Sequence, residues 1–134
     1  MSALMSIEGI GPRLAKALKD QGVGSVEKLL DAGRERVART KLAAATGIDE
    51  ERILRFVNHA DLMRVKGIGG EYAELLEAAG VDSVVELAQR NADRLHQRLV
   101  EVNDEKALVR TLPAASRVQN WIKQAKQLAR VVQH

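Results

Sequence analysis

In the stretch IEGIGPRLAKALKDQG (residues 7–22), Gly9 and Gly11 bracket Ile10, and Arg13, Lys16 and Lys19 follow at helical spacing. These residue types, so arranged, suit the capture of an anion. Glycine permits a close approach to main-chain N–H groups that a Cβ would block. A Gly-x-Gly turn ahead of a helix sets those groups at the helix's positive end. Three cations on the helix then line the groove beside the turn, while Ile10 is expected to dip inward and anchor the loop on the core. Contacts of this kind position a phosphate backbone without reading base sequence.

The stretch returns as VKGIGGEYAELLEAAG (residues 65–80). A shift of 58 lays 7–33 on 65–91 with ten identical positions, among them Gly67, Ile68, Gly69, Ala73, Leu76 and Gly80. Arg13, Lys16 and Lys19 are replaced by Glu71, Glu74 and Glu77. Residues 65–105 carry nine acidic and four basic side chains, a net of −5. A phosphate would be repelled there, with only Lys66 favouring it, so hairpin two reads as structural or as a site for a protein partner. Later the register slips to 65, and Arg52, Phe56 and Ala60 align with Arg117, Trp121 and Ala125. The difference falls in NDEKALVRTLP, which reads as a loop insertion. This is an internal repeat.

Elements must hold the two glycine turns in place, and their signals are helical throughout. Pro12 suits a first helical position, and Gly22 and Gly80 suit left-handed stops. Ser83 with Glu86, and Ser116 with Gln119, have the spacing of capping boxes. Asp49, Glu50 and Glu51 suit the start of a helix over 50–64. No segment alternates with a period of two, so no strand is predicted. Each unit reads as hairpin, helix, helix, linker and long helix, giving an all-α fold in one compact domain over 1–134, built from repeat units 7–64 and 65–131. Phe56 and Trp121 are expected as core anchors at corresponding places. Residues 116–131 copy the helix that leads into hairpin two, and are expected to fold back against hairpin one.

IEGIGPRLAKAL and VKGIGGEYAELL both resemble the helix-hairpin-helix motif, an apolar-x-Gly-apolar-Gly turn followed by a helix with an early Ala. The resemblance covers about residues 7–131. It implies a SAM-like helical bundle of two fused units with pseudo-twofold symmetry, of the kind found in DNA repair, recombination and replication proteins. The whole layout is also similar to a bacterial family catalogued as a domain of unknown function, which implies a fold and no activity.

Composition narrows the remaining classes. Without cysteine there is no disulfide or thiolate metal site, which fits a cytoplasmic setting. His59, His96 and His134 lack metal-ligand spacing. No Ser/His/Asp set, Walker loop or two-metal carboxylate cluster is present, so no catalytic residue, metal or cofactor is assigned. No run reaches the length of a membrane helix, and MSALMSIEGI lacks the pattern of a signal peptide. Net charge is +3. Residues 106–134 hold six Lys/Arg and no acid, and Arg34, Arg36, Arg39 and Lys41 could extend a basic surface around hairpin one. The expectation is a non-enzymatic module that binds DNA non-specifically through Gly9, Ile10, Gly11, Arg13, Lys16 and Lys19. The alternative is an adaptor for a protein partner or for self-association, using Gly67, Ile68, Gly69, Glu71 and Glu74 together with the basic C-terminal helix.

Overall fold

The computed structural model describes residues 2–134. Those residues form eight α-helices and a short 3-10 turn, with no strand. The all-α expectation is met. The chain divides into two compact units. The first runs to Asp61 and takes in Val131–His134; the second is Leu62–Arg130.

In the first unit the 3-10 turn Leu4–Ser6 leads into hairpin one and then α1 (Pro12–Asp20), α2 (Val26–Ala32), α3 (Arg36–Thr46) and α4 (Glu50–Leu62). α1 stops as its sequence requires. Gly22 has φ +79°, its N–H reaches the Lys19 carbonyl, and the Val23 N–H reaches that of Leu18. This paired closure of the last turn needs a left-handed residue, which glycine supplies without a Cβ penalty. Ser25 caps α2 by accepting from the Lys28 N–H at 3.1 Å. Leu18, Leu29, Ile53 and Val57 are completely buried. α2 ends on Gly33, where a Cβ would overlap Val57 of α4. A glycine is therefore required for those helices to meet.

The second unit contains α5 (Gly70–Ala78), α6 (Val84–Ala88), α7 (Ala92–Lys106) and α8 (Ala115–Ala125). Gly80 closes α5 as Gly22 closes α1, with Gly80 N–H to Glu77 and Val81 N–H to Leu76. Ser83 accepts from the Glu86 N–H at 3.2 Å. The core of this unit gathers Leu75, Leu76, Leu87 and Leu99 with Val118 and Trp121 of α8. α8 packs on α6 and α7.

Two expectations about the elements change. Ser116 is not a cap: α8 begins at Ala115 behind Ala114, with no side-chain cap. α7 continues through Asn103 to Lys106, so only the later part of NDEKALVRTLP is loop. The Asn103 side chain bonds both the N–H and the carbonyl of Val109, bringing the chain back. Within its own unit α8 packs on α6 and α7, and beside the Gly9 turn of the first unit lies the Phe56 ring of α4.

Candidate nucleic-acid interface

Hairpin one is an exposed loop on a buried root. Ile7 and Ile10 are 1% and 4% exposed, while Glu8 and Gly9 face solvent. The Ile10 N–H bonds the Ile7 carbonyl at 3.2 Å. This tight turn places Gly9 at φ +94°. A Cβ on Gly9 would also lie 3.2 Å from Phe56 Cε1. Two independent reasons therefore make Gly9 a glycine, and both belong to the fold.

Gly11 differs. Its φ of −92° is open to any residue, and a Cβ there would meet nothing within 4 Å. It is the N-cap of α1 but has no side chain to cap with, and Pro12 follows it. The first N–H groups of α1 are thus left to whatever approaches from outside. No side chain bonds the Glu8 backbone among the described residues.

Arg13, Lys16 and Lys19 are all exposed on α1. Lys16 Nζ lies 3.2 Å from Asp20 Oδ2, with both side chains mostly in solvent, a pairing of small energetic weight. Arg13 and Lys19 have no ion-pair partner among the described residues. The positive charge beside the loop is therefore available, at slight cost for Lys16.

Hairpin two repeats the turn with other surroundings. Gly67 has φ +100°, Ile68 is 4% exposed, and Gly69 again has nothing within 4 Å of an added Cβ. Trp121 Nε1 would lie 3.0 Å, and Arg117 Nη2 3.6 Å, from a Cβ on Gly67. The loop is held by a side chain of α8. Gln124 Oε1 accepts from the Lys66 N–H at 2.9 Å, and Gln124 Nε2 donates to the Lys66 carbonyl at 3.0 Å. The Arg117 guanidinium sits 5.6 Å from the Tyr72 ring centre, and Tyr72 leans on Trp121 at 5.3 Å between ring centres. Glu71 is exposed and Glu74 half-buried. One hairpin is open and flanked by cations; the other is clasped and flanked by carboxylates.

The expected basic surface over residues 34–41 is reduced by one. Arg39 is 3% exposed, and its guanidinium donates to the carbonyls of Gly33 at 2.9 Å, Arg34 at 3.2 Å and Gln133 at 2.8 Å. It anchors the chain's last residues: the Gln133 N–H bonds the Arg34 carbonyl at 2.7 Å, Val132 is 2% exposed, and His134 Nε2 lies 2.8 Å from Asn58 Oδ1. No local spacing announces this strap. The sole sequence signal is an arginine at a buried position of α3, three residues before Leu42.

Among the described residues no group of three or more His, Asp or Glu could hold a metal, and no helix is long and apolar enough to cross a membrane. No curated protein and no solved structure matches the chain. A family model does, over residues 8–128, from the loop of hairpin one to just past α8. With nearly the whole chain matched, the protein belongs to the family described as a domain of unknown function, DUF4332.

Proposed function

We propose that this protein is a non-enzymatic nucleic-acid-binding module, built from tandem helix-hairpin-helix units of repeated origin, that grips a phosphate backbone through hairpin one. Gly11 carries the reading. It is a glycine that neither its backbone angle nor its packing demands, at the uncapped positive end of a helix whose outer face bears Arg13, Lys16 and Lys19. A phosphate oxygen would take up the free N–H groups, and the cations would supply charge without base recognition. The repeated origin is supported by aligned roles: Gly9 lies against Phe56 as Gly67 lies against Trp121.

The test is a titration of duplex DNA at two salt concentrations. Arg13→Glu with Lys16→Glu should abolish binding without lowering thermal stability. Each lost phosphate contact removes about 0.9 from the slope of log affinity against log salt. With few contacts, affinity should lie in the non-specific range of about 10⁻⁴ to 10⁻⁶ M at physiological salt. A wild-type protein that leaves duplex unshifted at low salt defeats the reading.

A second reading, a protein-interaction adaptor, is favoured by the Gln124 clasp on Lys66 and the carboxylates Glu71 and Glu74. These make hairpin two a closed acidic surface, better matched to a cationic protein than to phosphate.

A further inference from the structure

The first unit contains a cavity of about 340 Å³ lined by Arg36, Arg39, Glu50, Glu51, Leu54 and His134. Its size is that of a small-ligand site. Exposed Arg36, Glu50 and Glu51 surround one buried charge, Arg39. Arg39 is almost wholly buried, yet among the described residues no carboxylate lies within ion-pair distance; three backbone carbonyls take three of its five N–H donors. A buried guanidinium ordinarily has a counter-ion, because transfer of an unpaired charge from water is costly. Burial accordingly pulls the Arg39 pKa below its ordinary value, Glu50 acts in the opposite direction, and Arg36 adds to the depression. Arg36 and Glu51 also lack an ion-pair partner among the described residues. Glu50 is engaged differently, accepting from Thr40 Oγ1 at 2.6 Å.

We infer that this cavity binds a small zwitterion of the amino-acid type, its carboxylate on Arg36 and the spare donors of Arg39, its ammonium on Glu51, and an apolar side chain against Leu54. The two glutamates disfavour a dianion such as phosphate, and the two arginines disfavour a simple amine. A ligand carrying both charges neutralises both sides at once. This site is separate from hairpin one and stands or falls independently of DNA binding.

The experiment compares L-leucine with its two halves, 4-methylpentanoate and isoamylamine, by amide chemical-shift titration of the full chain. L-leucine should shift the amides of Arg36, Arg39, Glu51 and His134 with a millimolar dissociation constant, and each half should bind at least about tenfold more weakly. Arg36→Gln, at an exposed position that leaves the strap untouched, should weaken L-leucine by about tenfold or more. Glu51→Gln should weaken L-leucine and isoamylamine but spare 4-methylpentanoate. No shift at high L-leucine, 4-methylpentanoate or inorganic phosphate binding as well as L-leucine, or indifference to Arg36→Gln would each overturn the assignment.

Discussion

Gly9 and Gly11 are one residue type two positions apart, and the backbone asks different things of them. At Gly9 a side chain would face both a left-handed φ and the edge of Phe56. Gly9→Ala should therefore cost about 1–2 kcal/mol from the backbone conformation alone, seen as a lowered melting temperature. At Gly11 the angles are those of an ordinary N-cap, so Gly11→Ser adds a hydroxyl able to cap α1. Serine is at least as good a cap as glycine, so stability should be unchanged or higher by a few tenths of a kcal/mol. The same hydroxyl would occupy the N–H groups proposed for phosphate, so duplex binding should fall. A variant that is both less stable and unimpaired in binding would mean that Gly11 serves packing only.

The covering helices show what the hairpins rest on. Trp121 is 1% exposed and touches Gly67, so Trp121→Ala should cost about 3 kcal/mol or more, measured by denaturant unfolding. Gln124→Ala should cost about 1 kcal/mol and speed hydrogen exchange at the Lys66 amide, whose bond is lost; unchanged exchange would show that the clasp does not hold in solution. At the start of α2, Glu27 is held below the usual carboxylate range by its own backbone N–H first, and then by that of Ser2, which donates to it at 2.8 Å. A depressed carboxylate stabilises above its ordinary pKa and loses that contribution as pH falls through its folded value. Glu27→Gln should thus lower the melting temperature at neutral pH, with the gap closing below about pH 4; a gap constant with pH would refute it. Much at this scale was legible because it is local: Gly22, Gly80 and Ser83 act within one turn of their own helix, and Phe56 and Trp121 were marked as anchors by their aligned positions. What escaped was non-local. The Gln124 clasp on Lys66 spans 58 positions, and no local pattern marks it. The last helical turn of α7 was hidden by polar residues that read equally well as loop.

Across the whole molecule, the charge difference between the hairpins is the property that separates the two functional readings. Glu71→Lys with Glu74→Lys gives hairpin two the signs of hairpin one, and duplex affinity should rise if phosphate contact is governed by the local field. Adaptor logic expects DNA affinity to ignore the change and a protein contact to be lost; paired titrations of both double variants decide. At this scale Arg39 departs furthest from what its sequence neighbours imply, because it is buried. Its cluster with Arg34, Arg36 and Lys41 reads as an extension of the basic surface around hairpin one, and its partner Gln133 lies 94 positions away, beyond any local pattern. That separation bears on how the protein is made. Synthesis runs from the N-terminus, so residues 131–134 leave the ribosome only after all of Leu62–Arg130. The unit begun first is therefore completed last. Until Gln133 arrives, a nascent chain has Arg39 without one of its carbonyls and Asn58 without His134, and the first unit must wait, incompletely closed, while the second has every residue it needs.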